Sequence, residues 1–229
     1  MPRKKKEEEL LISFEEYKKS GAYIGTRVVT GHMQEYVYKR RADGLAIINT
    51  AKIDEKVKLT SRFLTQYEPK DILIVCKREA GWQAVEKFSA LFGMRHFTRR
   101  YPAGVITNPS LPSFFEPKML LIVDPWTDKN AMHDALKLGI PIFALCDTNN
   151  VTNYIDLVIP CNNKAKSSIA LVFWILANEY AKFKGLAIEV KLEDFGYEAK
   201  EELEKEKAGT EGAREMRVVK VRDLAKEGV

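Results

Sequence analysis

Three aspartates stand where an open α/β sheet does its chemistry. Asp124 follows the apolar run 119–123, Asp128 lies in the stretch beyond it, and Asp147 follows the apolar run 140–145. Carboxylates at the carboxyl ends of strands can hold a magnesium ion, and His133 lies about one helical turn past Asp128. This grouping is the best catalytic reading the residues offer: a free-standing magnesium- or nucleotide-dependent enzyme, or a small-molecule binder. It lacks a phosphate cradle, because neither G-x-G-x-x-G nor G-x-x-x-x-G-K-[ST] occurs. Each aspartate also has a plainer task. Asp128 suits the cap of the helix that begins beside it, and Asp147-Thr148-Asn149-Asn150 is ordinary turn chemistry. His32, His96 and His133 have no metal-ligand spacing and read as surface or packing residues, so no metal site is expected.

The cations form a second set: Arg27, Lys39-Arg40-Arg41, Lys77-Arg78, Arg95, Arg99-Arg100, and Lys164 and Lys166 with Asn163 beside them. A single charge run is usually a solvated face. Here several runs fall in loops next to Tyr, Phe or Asn, a mixture that suits phosphate contacts with occasional stacking on an unpaired base. The balance of charge agrees. The formal net charge is +5, and it is unevenly placed: residues 1–185 hold 28 Lys/Arg against 20 Asp/Glu, while 186–229 hold 9 against 12. A basic body with an acidic tail suits a polyanionic partner. No RNA-recognition, KH or helix-turn-helix signature is present, so a folded RNA would be read through its shape and backbone. Trp82 and Trp126 lie just past strand ends, within reach of a base, but the core is the expected place for both, as it is for Trp174.

The elements that must position these groups follow from the apolar periodicity. Ser13 with Glu16 makes a capping box for a short helix that Gly21 ends. Residues 34–42 alternate as an exposed strand ending at Asp43-Gly44, which puts Lys39, Arg40 and Arg41 at a tip. Apolar runs at 45–48, 72–75, 119–123, 140–145 and 157–159, with a shorter piece at 95–98, alternate with helices over 53–67, 80–92, 128–138 and 167–183. That alternation predicts an α/β fold, a mainly parallel, doubly wound sheet wrapped by helices on both faces, with 45–48 as its first buried strand. Between 99 and 117 four prolines deny the backbone a helix or a ladder, so a long loop with Arg99 and Arg100 precedes the strand at 119. Phe114 and Phe115 are expected to anchor it.

Charged ends are expected to flank the domain: an arm over 1–12, the α/β domain over 13–185 and a tail over 186–229, in which 198–207 reads as a charged helix and 216–221 as a short strand. Cys76, Cys146 and Cys161 are odd in number and without a C-x-x-C pair, which predicts buried, reduced thiols. No apolar run is long enough to cross a membrane, and the N-terminal apolar stretch is too short for a signal peptide.

Short motifs then carry a likeness. Ala103-Gly104-Val105-Ile106-Thr107-Asn108-Pro109, Glu116-Pro117, Ile122-Val123-Asp124-Pro125, Gly139-Ile140-Pro141, Ala144-Leu145-Cys146-Asp147-Thr148-Asn149 and the stretch from Asp156 to Lys164 occur in this order without a large gap. Together they resemble the family of the second protein of the small ribosomal subunit, over roughly residues 14–185. The chain is similar to the archaeal form, since the helical insertion of bacterial members is missing after Arg41 and the aromatic-rich tail of eukaryotic members is absent. The resemblance implies a flavodoxin-like three-layer α/β/α domain that binds small-subunit ribosomal RNA between head and body. It also implies neighbouring ribosomal proteins as partners, no catalysis, no cofactor and no small-molecule substrate. On this reading Arg27, Lys39, Arg40, Arg41, Lys77, Arg78, Arg95, Arg99, Arg100, Asn163, Lys164 and Lys166 face RNA, whereas Gly104, Asn108, Pro109, Asp124, Pro125, Asp128 and Asp147 shape or cap loops. The chain departs from the family at Asn49, Trp126 and Arg99, where Asp, Arg and Gly are common.

Overall fold

A computed structural model describes residues 10–197. It begins with α1 (Phe14–Ser20), where the Ser13 side chain accepts the Glu16 amide and Gly21 closes the last turn. A 3-10 turn over His32–Tyr36 takes the first part of the expected strand, leaving β1 as Val37–Arg40. β1 pairs antiparallel with β2 (Ala46–Ile48), and this pairing corrects one expectation: the buried run at 45–48 is not a strand of the parallel sheet. The turn between them explains why. Gly44 has φ +84°, Leu45 N–H donates to Asp43 Oδ1 at 3.1 Å, and so tight a turn can only return the chain antiparallel.

The parallel sheet starts after α2 (Thr50–Leu64), whose cap is Asn49 accepting the Ala51 amide at 3.1 Å. There follow β3 (Ile72–Cys76), α3 (Trp82–Phe92), β4 (Arg95–Thr98), β5 (Met119–Ile122), α4 (Lys129–Leu138), β6 (Ile142–Cys146), β7 (Leu157–Pro160) and α5 (Lys166–Lys184). Among the described residues the sheet has five strands in the order β4-β3-β5-β6-β7, all parallel. Counted within the sheet this is 2-1-3-4-5, the flavodoxin-like order. Every residue of β3, β5 and β6 is buried, as unbroken apolar runs require when helices cover both faces.

Right-handed crossovers then fix the layers. The step from β3 to β4 and the step from β5 to β6 run in opposite directions, so α3 and α4 lie on opposite faces. α5 packs against α2 and α3, with Phe173 edge-on to Phe88 at 5.5 Å between ring centroids. α4 shares the other face with the proline-rich loop. Cys76, Cys146 and Cys161 are free and buried, and burial pushes their thiols up, out of reach of ionisation at neutral pH.

Beyond α5 the chain stays on the domain further than its composition predicts. Trp174 Nε1–H donates to the Val190 carbonyl at 2.8 Å, Phe195 is wholly buried and Lys87 meets Asp194 at 3.2 Å. Residues 186–197 therefore pack on the domain, because apolar residues at 190, 192 and 195 cover α5 despite the acidic surroundings. The charge run at 1–9, the expected helix at 198–207 and the expected strand at 216–221 lie outside the described residues.

Candidate nucleic-acid interface

In an open α/β sheet the ligand crevice opens at the carboxyl ends of the strands where the order reverses, here between β3 and β5. In this protein that crevice is filled by its own side chains. Arg78, just past β3, is ion-paired in direct contact with Asp124, just past β5. Asp124 is 1% exposed, and its second oxygen accepts the Trp126 amide at 3.1 Å and Asn150 Nδ2 at 3.2 Å. Asn150 Oδ1 accepts the Asp147 amide at 2.7 Å and Asn163 Nδ2 at 3.0 Å. Asn163, 1% exposed, also donates to the Leu145 carbonyl at 3.1 Å. The ends of β3, β5, β6 and β7 are thus laced together by one polar network around Asn150.

Three sequence expectations change here. Asn163 does not face RNA: both donors of its amide are spent on buried acceptors, so its lysine neighbours misled. Arg78 is not a free phosphate contact, because its charge is matched by a buried carboxylate. Asp128 stands at the cap position of α4 but makes no side-chain cap. Its carboxylate turns back to accept the Lys77 amide at 2.9 Å and the Asp124 amide at 3.2 Å, closing the loop ends of β3 and β5. Burial pushes the Asp128 carboxyl up to about 7, and those two amides pull against that shift.

The magnesium reading fails on the same geometry. Asp124 and Asp128 are engaged as described. Asp147 accepts the Thr148 amide at 2.6 Å and pairs with Lys164 Nζ at 3.2 Å. His133 is exposed on α4, and among the described residues no acidic, His or Cys cluster is disposed to hold a metal ion.

Around this closed crevice the structure sets cations on two sides. On one, residues 25–30 are pinned to the loop after β6: Thr26 N–H donates to Thr148 Oγ1 at 2.9 Å, Thr30 N–H to the Thr148 carbonyl at 3.0 Å, and Thr30 Oγ1 to the Asn150 carbonyl at 2.8 Å. A Cβ on Gly25 would stand 2.5 Å from Thr148 Cγ2, so only glycine permits this approach. The β1-β2 ribbon rides on that loop, with Arg40 Nη1 reaching the Arg27 carbonyl at 3.4 Å. Arg27, Lys39, Arg40 and Arg41 are all exposed; Arg41 makes an exposed pair with Asp43 at 3.1 Å, an interaction that leaves it available to a competing anion.

On the other side Arg99 follows β4 with φ +69°, a conformation that favours glycine. Its guanidinium lies 5.1 Å over the Trp82 ring, whose Nε1–H donates to the Lys77 carbonyl at 3.3 Å. Arg95 is not part of this group: it opens β4 at the amino edge of the sheet, 4.4 Å over Phe115. Lys77 and Arg100 are exposed and line a cleft of about 320 Å³ beside the first turn of α4. Trp126, expected in the core, is 56% exposed, since the corner at buried Pro125 turns it outward. Lys164 is exposed beside Asp147 and Asn149, and Lys166 opens α5, half-buried.

The loop carrying Arg99 and Arg100 is held by residues the sequence reading passed over. Asp134, on α4, accepts Tyr101 Oη–H at 3.1 Å and the Gly104 amide at 3.0 Å. Val105 and Ile106 are wholly buried, so they anchor the loop more deeply than Phe114 and Phe115, which are only half-buried. Asn108 Oδ1 accepts the Ser110 amide at 3.0 Å and thereby shapes the turn around exposed Pro109. Nothing in the spacing pointed to Asp134. An apolar Val-Ile pair amid prolines was the available sign of the anchor.

Comparison with known proteins agrees along almost the whole domain. A family model described as ribosomal protein S2 matches residues 19–111 and 114–182. The chain is 47% identical over 190 residues to the small ribosomal subunit protein uS2 of Nanoarchaeum equitans, covering 81% of this chain and 94% of that protein. It is 44% identical over 179 residues to the uS2 of Thermoplasma acidophilum, covering 78% and 90%, and 43% identical over 171 residues to that of Saccharolobus solfataricus, covering 75% and 74%.

Proposed function

Because the chain belongs to the ribosomal protein S2 family, we propose that its basic carboxyl edge holds small-subunit ribosomal RNA between head and body. The protein is a structural constituent of the small ribosomal subunit, in the cytoplasm, and serves translation without catalysis. Its partners are that RNA and neighbouring small-subunit proteins.

The observation that carries the RNA-binding reading is the contrast at the sheet edge. The crevice where this fold usually takes a small ligand is closed by Arg78, Asp124, Asn150 and Asn163. Among the described residues the exposed cations Arg27, Lys39, Arg40 and Arg41 on one side, and Lys77, Arg99 and Arg100 on the other, have few carboxylate partners. An edge that is rigid in the middle and cationic at its flanks suits a large, stiff polyanion whose phosphates are spaced along a surface.

Affinity for a small-subunit RNA fragment should fall steeply with salt, since each neutralised phosphate releases counterions. Replacing Arg99 and Arg100 together by Ala should weaken binding at moderate salt and leave the fold intact. A salt-independent affinity would refute the reading. In a sucrose gradient the protein should sediment with the small subunit, and a protein that stays at the top of the gradient argues equally against it.

A further inference from the structure

One surface feature is not used by the phosphate contacts. Between the start of α1, the β1-β2 ribbon and the start of α2 lies an open cleft of about 520 Å³, within the ~300–1,000 Å³ range of small-ligand pockets. Its floor is Ile47 and Ile48 of β2, both buried. Its walls are aromatic. Tyr38 is 70% exposed and Phe14 is 52% exposed, and Phe14 is backed by Tyr23 at 5.9 Å between ring centroids. Two large rings left open to water beside an apolar floor are a cost to the free protein unless something covers them.

The charges around the rings point to what covers them. Lys39 and Arg41 line the cleft, and among the described residues no Asp or Glu does. The amino end of α2 also borders it, and the first turn of that helix carries no acidic residue. Its cap is a neutral Asn49, so the positive end of the helix is not offset. Aromatic rings for a π-face with cations at the rim, Arg41 among them in an exposed pair with Asp43 that a phosphate can displace, are the combination that takes a nucleotide: base on the rings, phosphates on the cations.

We infer that this cleft receives one unpaired nucleotide of the small-subunit RNA, its base seated among Phe14, Tyr23 and Tyr38 and its flanking phosphates at Lys39 and Arg41. The inference rests on the RNA-binding reading above and gives it a second kind of contact. Stacking on a ring tolerates any base, so the cleft would select for an extruded nucleotide at the right place on a folded RNA and not for its identity. The ribbon, pinned at residues 25–30, sets that place relative to the phosphate contacts.

Binding of a transcribed small-subunit RNA fragment to the full chain, measured by filter retention over a range of salt, tests this. Tyr38→Ala should weaken binding ~5- to 150-fold, the range for removing one base–aromatic stack, with the salt slope unchanged. Tyr38→Phe should bind as the parent does. Lys39→Ala should instead lower the slope by about one. Tyr38 is exposed, so folding should be indifferent to its loss, and Phe14→Ala supplies an independent variant on the opposite wall. If both alanine variants bind as tightly as the parent while the parent keeps its steep slope, the cleft does not take a base and belongs to a protein neighbour, and the RNA-binding reading stands alone. If the parent's affinity does not depend on salt, that reading fails and the cleft proposal falls with it.

Discussion

Replacing Arg78 by Met separates a structural cation from an RNA-binding one. Methionine keeps much of the aliphatic stem but leaves Asp124, 1% exposed, with only the Trp126 amide and Asn150 for company. Breaking a buried pair by removing one partner costs about 3–5 kcal/mol, because the remaining charge is stranded in a poorly polarisable site. The Arg78 side chain is 28% exposed, so water screens part of that cost and the lower end, about 3 kcal/mol, is expected. For a domain of this size each kcal/mol moves the midpoint by ~2–4 °C, which predicts a fall in Tm of about 6–12 °C. Urea unfolding followed by tryptophan fluorescence supplies the free energy directly. Arg78→Met with Asp124→Asn should recover more than half of the loss, since the stranded charge is then gone. RNA affinity of the folded single variant should match the parent, with the same salt slope. A destabilisation under about 1 kcal/mol, joined to a slope reduced by one, would refute the assignment and return Arg78 to the phosphate contacts.

Asp128 should make stability depend on pH. Its folded carboxyl titrates at about 7, above an unfolded value near 3.9, so the folded state holds the extra proton between those pH values and stability falls as pH rises through that window. Asp128→Asn should flatten that fall in urea titrations at several pH values, and an unaltered pH profile would contradict it. Asn163→Ala should cost about 1–3 kcal/mol in the same assay by leaving the Leu145 carbonyl and Asn150 short of a donor, with no change in RNA affinity. Arg99→Gly releases a left-handed residue, which should offset the lost contact with Trp82 and leave stability unchanged or raised by up to ~1 kcal/mol, while RNA binding loses about one unit of salt slope. Gly25→Ala should destabilise by ~1–3 kcal/mol through its clash with Thr148, measured as a lowered Tm.

The parallel sheet was legible because β3, β5 and β6 are unbroken apolar runs, the first two each followed by a helix with one apolar side, and that pattern admits few topologies. β2 was misplaced for the same reason: three buried residues in a row look alike in a central strand and in a ribbon lying on the core, and only the Asp43-Gly44 turn distinguishes them. Exposed cations were legible as a class, but their roles were not. Lys77 and Arg78 are adjacent, yet one is exposed and the other is drawn down onto Asp124, a partner 46 residues away that no local pattern identifies. Asn163 was misread because a buried amide whose nitrogen donates to distant acceptors has no periodicity of its own. Asp134 and Asn150, which hold the loop and the strand ends, escaped for that reason too: polar nodes are defined by distant acceptors and donors, whereas core residues announce themselves by spacing.

The pinning of residues 25–30 also has a consequence for biosynthesis. Thr26 and its partner Thr148 are separated by 122 positions, and Ser167 meets the Ser20 carbonyl across 147. Chains emerge amino end first at ~5–20 residues per second, so about 6–25 s pass between synthesis of the threonine on the early loop and synthesis of its anchor. Throughout that interval the ribbon has been translated but has nothing to stand on. Its cluster of cations leaves the exit tunnel before the anchor that fixes its position, so a nascent chain stalled before residue 148 would carry the charges without their arrangement.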